Sequence, residues 1–228
     1  MHVSSHQAAE VIWRPTRERA AAARITNFTE WLQTEKGLRF ADYDALWRWS
    51  VAESEAFWAA VVEHFDLPLE GQRTLVLADR SMPGARWFPG TQTNYVSQIF
   101  RHSTEARPAV VFRNEAGDRD EVSWRRLECE VASLAQWLRD RGVKSGDRVV
   151  AYMPNIPQTV VAFLAAASVG AVWSLCSPEM GLTAVLDRYR LVRYLVYAKT
   201  RLTDRSLRCA DCSSTGYHKD TPPWLAVW

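Results

Sequence analysis

Residues 146–181, GDRVVAYMPNIPQTVVAFLAAASVGAVWSLCSPEMG, constrain the fold more than any other part of the chain. The apolar run at residues 148–153 is typical of a strand buried on both faces of a parallel sheet. Pro157 suits the first turn of a helix, where its missing N–H has no partner to lose. Residues 158–169 are apolar on nearly every side and predict a buried helix, and residues 171–176 form the next strand. The segment therefore predicts a strand–helix–strand crossover of an α/β fold.

The residues before this crossover predict a hairpin and an amphipathic helix. Residues 109–113 form a strand, residues 114–118 a turn, and a short return strand follows. Ser123 can cap a helix that ends before Gly142, because glycine readily takes the left-handed conformation that stops many helices. One face of this helix is apolar: Leu127, Val131, Leu134 and Leu138.

The first 88 residues predict a helical segment rich in aromatic side chains. Ser50 and Glu53 have the spacing of a capping box, which satisfies free N–H groups at a helix start. An apolar stripe follows, and Pro68 is expected to close that helix. The stripe consists of Phe57, Trp58, Val61, Val62 and Phe65. Such a stripe usually packs a helical segment onto another domain, and the alternative is an aromatic cluster that binds a ligand.

Composition excludes several classes of function. Hydrophobic residues make up 47% and charged residues 24%, as in ordinary globular proteins, and the net charge of +2 gives no argument for nucleic acid. Four cysteines, unevenly spaced, do not form a secreted disulfide framework, which favours a reducing, cytoplasmic setting. The apolar run at residues 160–176 is too short for the roughly 20 residues that a membrane span needs. We therefore expect no nucleic-acid partner and no membrane span.

Motif searches predict no catalytic residue and no metal site. The chain contains no G-x-x-x-x-G-K-S/T, G-x-G-x-x-G, H-E-x-x-H or G-x-S-x-G pattern. Cys209 and Cys212, followed by His218, offer half of a zinc site, but a second ligand pair is missing from the sequence. Residues 213–219 have the composition of a phosphate cradle without the strand and helix that would hold one. The loop at residues 177–181 follows a predicted parallel strand, where α/β proteins bind ligands, although a simple connecting loop is the alternative.

From Trp13 to Arg188 the sequence resembles the N-terminal part of acyl-CoA synthetases, in the AMP-binding, adenylate-forming superfamily. The stretches that carry the resemblance are ITNFTEWLQTEKGLRFADYDALWRWSVAESEAFWAAVVEHFDL, ARWFPG followed by TNY, the run from SWRRLECEVASLAQWLRD through SPEMG, and AVLDR. Within that group, the sequence WSLCSPEMG at residues 173–181 is most similar to the acetoacetyl-CoA synthetase family.

The resemblance implies an architecture and a two-step reaction. Residues 1–88 would be a helical N-terminal extension, and residues 89–188 the start of the AMP-binding domain, with an incomplete parallel sheet and its crossover helix. The family activates a carboxylate with ATP and Mg²⁺ and then transfers the acyl group to coenzyme A. The implied acid is acetoacetate. We expect none of these cofactors to bind well to this chain alone.

The resemblance assigns one binding role to specific residues. Ser177, Pro178 and Glu179 correspond to a lip that touches the adenine of coenzyme A in relatives. The family's phosphate loop, its ribose-binding aspartate and its C-terminal catalytic lysine find no match in the 228 residues. We therefore expect this chain by itself to be inactive.

The resemblance fades after Arg188. Residues 189–228 carry seven Lys and Arg against three Asp and Glu, and they are predicted to be a non-homologous tail produced by a frameshift or truncation. Two functions follow as hypotheses. The chain is either an N-terminal fragment of an acetoacetate–CoA ligase, or a non-catalytic module that binds a partner through an exposed sheet edge.

Overall fold

The computed structural model describes residues 12–192 and 196–199, with side chains through Tyr189. The chain divides into two compact units, Met1–Thr91 and Gln92–Trp228. Each unit has its own hydrophobic core.

The N-terminal unit is built from helices followed by short strands. Its helices are α1 (Arg17–Ala21), α2 (Arg24–Lys36), α3 (Tyr43–Ala52) and α4 (Ser54–His64). Its strands are β1 (Glu70–Gly71), β2 (Leu77–Asp79) and β3 (Arg86–Trp87), and β2 pairs with β3. A fourth strand, β4 (Thr91–Gln92), pairs with β1 and lies at the boundary between the two units. The helices meet around the buried side chains of Phe28, Leu32, Leu46 and Ala60.

Aromatic rings hold α2 against α4. The Phe28 ring centroid lies 6.1 Å from that of Phe57 and 5.2 Å from that of His64. Trp31 stacks beside Phe28 at 6.1 Å. The predicted aromatic stripe therefore includes core residues of this helical unit, since Phe57 and Val61 pack against the buried cluster.

The predicted capping box is wrong. Ser50 lies inside α3, where its hydroxyl donates to the Trp47 carbonyl oxygen at 2.7 Å. Glu53 is itself the N-cap of α4 and makes no side-chain capping hydrogen bond. The α4 helix also ends at His64, before Pro68, because Asp66 takes a left-handed φ of 46°. The real cap in this region is Asp42, whose carboxylate accepts from the Ala45 N–H at 2.8 Å at the start of α3.

The second unit contains the predicted hairpin and crossover. Its elements are α5 (Tyr95–Phe100), β5 (Val110–Arg113), β6 (Arg119–Val122), α6 (Trp124–Asp140), β7 (Arg148–Tyr152), α7 (Pro157–Ser168), β8 (Val172–Cys176), α8 (Leu182–Val192) and β9 (Val196–Lys199). β5 and β6 pair antiparallel. β7 pairs in parallel with β8 on one side and β9 on the other, giving the order β8-β7-β9.

The central strand β7 is buried on both faces, as the apolar run predicted. Val149 and Ala151 belong to the core that α6 and α7 complete, whereas Val150 belongs to a second cluster with Val185 of α8. Alternating side chains of a strand point to opposite faces, so the sheet has helices on both sides. This is the layered α/β arrangement that the sequence predicted.

The cap and stop of α6 are also as predicted. The Ser123 hydroxyl accepts from the Arg126 N–H at 3.2 Å, and Gly142 has a φ of 79°. The apolar face of α6, including Leu134 and Leu138, is buried against α7. The helix therefore forms the outer layer over one face of the crossover.

Elements continue across the boundary predicted at Arg188. The α8 helix extends to Val192, and β9 lies within the stretch assigned to the tail. Cys209, Cys212, His218 and residues 213–219 lie outside the described residues, so the sites considered there stay untested. Within the described part of the chain, no helix combines the length and apolarity needed to cross a membrane.

Candidate functional site

The predicted lip residues lie together where β8 ends. Ser177 and Pro178 are half-buried, and Glu179 is exposed. The loop of residues 177–181, which we term the lip loop, connects β8 to α8. It lies at the carboxyl end of a parallel strand, the edge at which open α/β sheets bind their ligands.

Tyr152, the last residue of β7, anchors the lip loop. Its hydroxyl donates to the Pro178 carbonyl oxygen at 2.9 Å, and the Met180 carbonyl oxygen lies 3.4 Å from the same hydroxyl. Within the loop, the Met180 N–H donates to the Ser177 carbonyl oxygen at 3.0 Å and closes a turn. The backbone of the loop is therefore fixed to the neighbouring strand, while the Glu179 side chain is exposed.

A small apolar cluster supports the base of the lip loop. Cys176 and Val150 are fully buried beneath Val185 and Tyr189 of α8. The Tyr189 hydroxyl also donates to the Ala151 carbonyl oxygen. These contacts seat α8 on the sheet, so the loop is held at both of its ends.

The loop that follows β7 leaves the sheet beside the lip loop. Tyr152 and Cys176 are register partners, and the Met153 N–H donates to the Cys176 carbonyl oxygen at 3.1 Å. The Thr159 hydroxyl donates to the Pro154 carbonyl oxygen at 2.6 Å and fixes the entry to α7. Two ordered loops thus line this edge of the sheet.

The chemistry available at this edge is binding and positioning. Ser177 offers a hydroxyl and Glu179 a carboxylate, which suits hydrogen bonds to a polar ligand. Among the described residues, no group of three or more His, Cys, Asp or Glu side chains is arranged to hold a metal ion.

The clear pKa shifts occur at other places in the structure. Hydrogen bonds from the side chain and backbone of Ser81 lower the pKa of Asp79 in the N-terminal unit. A hydrogen bond to Glu130 raises the pKa of Arg126 on α6. Both groups belong to local surface interactions, and neither lies in the lip loop.

Sequence reasoning missed a cleft of about 530 Å³ in the N-terminal unit. Its walls come from the end of α4, the loop at residues 73–76 and Phe88, and they include Val62, Leu67 and Arg73. Glu63 also lines it, and the Lys36 ammonium bonds to this carboxylate at 2.7 Å. No local pattern predicts the cleft because its lining residues come from three separate segments.

Comparisons with known proteins match both units. A family model described as "Acetyl-coenzyme A synthetase N-terminus" matches residues 43–99, and one described as "AMP-binding enzyme" matches residues 99–212. The second match extends beyond Arg188, into the stretch that the sequence analysis treated as a tail. The extent of that tail stays a prediction.

Curated proteins similar to this chain include acetoacetyl-CoA synthetases. An acetoacetyl-coenzyme A synthetase of Rhizobium meliloti is 43% identical over 184 residues, which are 80% of this chain and 28% of that protein. An acetoacetyl-CoA synthetase of Xenopus tropicalis is 34% identical over 189 residues, 81% of this chain and 28% of that protein. The chain thus spans just over a quarter of the length of these relatives.

A solved structure gives the same result for the fold. The acetoacetyl-CoA synthetase from Streptomyces lividans matches with a TM-score of 0.77 and 44% identity, over 83% of this chain and 30% of that one. The α/β fold class with an incomplete AMP-binding domain is thereby confirmed.

Proposed function

The chain belongs to the AMP-binding enzyme family, and on that premise we propose that it forms the N-terminal part of an ATP-dependent acetoacetate–CoA ligase. The observation that carries the proposal is the 44% identity to the Streptomyces lividans acetoacetyl-CoA synthetase over 83% of this chain. The alternative of a non-catalytic partner-binding module is not favoured, since the similar curated proteins cited above are named as synthetases.

In the proposed reaction an acetoacetate carboxylate oxygen attacks the α-phosphorus of ATP, and the bond to pyrophosphate breaks. The thiol sulfur of coenzyme A then forms the thioester bond, its proton is released, and AMP leaves with the electron pair of the broken acyl–oxygen bond. Mg²⁺, when bound, would offset phosphate charge in such steps. The family's phosphate loop and catalytic lysine find no match in this sequence, so we assign the chemical steps to other parts of the ligase.

We assign a positioning role to the lip loop. Its acceptor groups fit the adenine of coenzyme A, because the Ser177 hydroxyl and the Glu179 carboxylate can accept hydrogen bonds from an amino group. The loop carries no cationic side chain, so it does not suit the phosphates of the same molecule. Tyr152 holds the backbone of the lip through the Pro178 carbonyl oxygen and keeps the two acceptors in place.

A chimera tests the proposed function. Residues 13–188 of this chain replace the matched region of the Streptomyces lividans enzyme, and ATP–pyrophosphate exchange is measured with acetoacetate. We expect acetoacetate-dependent exchange from the chimera and none from the 228-residue chain alone, because the phosphate loop comes from the relative.

Acetate is the matched control for the choice of acid. A chimera that folds but catalyses exchange only with acetate would contradict the proposed substrate. Exchange by the purified 228-residue chain alone would contradict the assignment of the chemistry to residues outside it.

We further propose a cytoplasmic location. Cys176 is a buried thiol outside any disulfide, which suits a reducing compartment. Fractionation of cells that express the tagged chain tests this, and recovery from an oxidising compartment would contradict it.

A further inference from the structure

The cleft beside α4 is a preformed concave space within the N-terminal unit. We call it the α4 cleft; it is lined by the second half of α4, residues 66–67, residues 73–76 and Phe88. Its volume of about 530 Å³ lies in the range of sites that bind small molecules. The Phe88 N–H donates to the Val76 carbonyl oxygen at 2.7 Å, and the Leu67 N–H donates to the Val62 carbonyl oxygen at 3.0 Å. Its walls are therefore fixed to one another before any ligand binds.

Two residues that line the α4 cleft have a strained backbone. Asp66 and Phe88 are the two non-glycine residues with a positive φ in the described part of the chain, at 46° and 42°. A bulky residue such as phenylalanine rarely takes this conformation. Thr91 holds Phe88 in it, because the Thr91 N–H and hydroxyl both donate to the Phe88 carbonyl oxygen, at 3.1 and 2.8 Å. Strained residues concentrate at binding and catalytic sites, so their shared position indicates a ligand site.

The walls of the α4 cleft are mostly apolar. The apolar side chains that line it are Ala59, Val62, Leu67, Leu75, Val76 and Phe88. Leu75 is 55% exposed, so the fold itself leaves much of this side chain in contact with water. A ligand with an aliphatic part would remove that surface from water, and the gain grows with the apolar area that is covered.

Arg73 supplies the charge that a ligand can use. The other charged groups of the α4 cleft are already engaged: the Lys36 ammonium bonds to the Glu63 carboxylate at 2.7 Å, and Asp66 has an interaction of its own. Arg73 takes part in none of the ion pairs formed among the described residues. A guanidinium group binds a carboxylate through two parallel hydrogen bonds. A phosphate dianion would bring a second negative charge beside two carboxylates, so the cleft fits a singly charged acid better.

We propose that the α4 cleft binds a medium-chain aliphatic carboxylate, with its carboxylate on Arg73 and its chain against Leu75 and Phe88. A short polar acid such as acetoacetate has too little apolar surface to cover these walls. All lining residues belong to the N-terminal unit, so binding at this cleft does not depend on the reaction proposed above.

Calorimetric titration of the purified 228-residue chain with octanoate tests the proposal. Octanamide is the matched neutral ligand, and acetoacetate is the short acid. We expect saturable binding of one octanoate per chain, binding of octanamide at least tenfold weaker, and no saturable binding of acetoacetate, since only octanoate offers both the charge and the chain. In NMR spectra, octanoate should shift the amide signals of residues 66–76 and Phe88 and leave the lip loop unchanged.

Two glutamine variants separate a direct contact from a structural effect. Arg73→Gln should weaken octanoate binding by about tenfold or more and leave octanamide binding unchanged, whereas damage to the cleft would weaken both ligands. Arg48→Gln is the control, because Arg48 is an exposed arginine of the same unit that pairs with Asp44 on α3 and does not line the cleft. Circular dichroism checks that both variants are folded.

A third variant tests the apolar wall. Leu75→Asn should weaken octanoate and octanamide alike, because the Leu75 side chain would contact the chain that the two ligands share. Its exposure makes the substitution compatible with the fold. Unchanged binding of both ligands to this variant would show that the chain does not lie against Leu75.

Other results would overturn the proposal as a whole. They are no saturable binding of octanoate, equal affinity for octanoate and octanamide, equal losses in the two glutamine variants, and amide shifts confined to other parts of the chain. Displacement of octanoate by inorganic phosphate at a lower concentration than octanoate itself requires would replace the carboxylate with a phosphate as the bound group.

Discussion

Tyr152 is the residue on which the geometry of the lip loop depends most directly. Replacing it with phenylalanine removes the hydroxyl that donates to the Pro178 carbonyl oxygen and keeps the ring between β7 and the loop. We expect the free energy of unfolding to fall by about 1 kcal/mol, the usual net contribution of one hydrogen bond. Amide exchange at residues 177–181 should accelerate, and in the active chimera the KM for coenzyme A should rise more than kcat falls.

Tyr95→Phe is the control for this substitution. Tyr95 is exposed and its ring packs on Phe163, so loss of its hydroxyl should leave the lip loop unchanged. Equal exchange rates at residues 177–181 in both variants would show that the Tyr152 hydroxyl does not hold the loop.

Single residues show where sequence reasoning succeeds and where it stops. Ser177, Pro178 and Glu179 were correctly predicted to follow a strand, because a loop that directly follows an apolar parallel strand can lie only at the end of that strand. The role of Tyr152 was missed, since its partner lies 26 residues away and depends on the pairing of β7 with β8. Ser50 and Glu53 matched a capping pattern by spacing alone. Ser50 cannot cap a helix start there, because α3 continues through it to Ala52.

At the level of elements, the turn between α7 and β8 depends on Gly170. This glycine has a φ of 78°, and a Cβ there would lie 2.8 Å from Ser145 Oγ. Gly142, after α6, has a φ of 79° with no atom within 4 Å of such a Cβ. Both glycines have a left-handed backbone conformation, but only at Gly170 would an added Cβ lie against another residue.

Gly142→Ala should therefore destabilise the protein by about 1–2 kcal/mol through its left-handed backbone alone. Gly170→Ala should cost more, because Ser145 must also move. Urea denaturation of the two variants measures the difference, and equal losses would mean that Ser145 relocates freely.

Periodicity predicted the elements of the second unit better than those of the first. α6 has one apolar face and a serine cap, and the crossover has apolar strands bounded by glycine, so each signal is local. In the N-terminal unit, aromatic residues occur on buried and exposed positions alike, such as Phe28 and Trp47. The boundary between α3 and α4 therefore depends on packing that local spacing does not encode.

For the whole molecule, the two cores predict separate responses to mutation. Leu32 is 0% exposed in the core of the N-terminal unit, and Leu134 is buried in that of the second unit. Leu32→Ala should destabilise its own unit by about 2–5 kcal/mol, as expected for a cavity left by a buried leucine. Hydrogen exchange should accelerate in α2 and α4 while β7 keeps its protection.

Leu134→Ala is the reciprocal variant, and it should accelerate exchange in α6 and α7. If either substitution accelerates exchange equally in both units, the two cores unfold as one cooperative body, and the expectation of separate responses is wrong.

The family and the fold class were accessible from the sequence because the crossover and its flanking helix form a long, specific stretch. The cleft beside α4 was not accessible, since its lining depends on how residues 73–76 fold back toward Phe88. The same limit applies to the outer edge of β8. An apolar strand is visible in the sequence, but only the sheet order shows that one of its sides pairs with no described residue.

The order β8-β7-β9 has a consequence for how the chain is made. The central strand leaves the ribosome first, and each neighbour emerges only after a helix has followed it. β7 can thus act as a template that acquires β8 on one side and β9 on the other in the order of translation. Because domains fold as they are synthesised, a pause after β8 would leave a two-stranded nascent sheet with the β9 side of β7 still open.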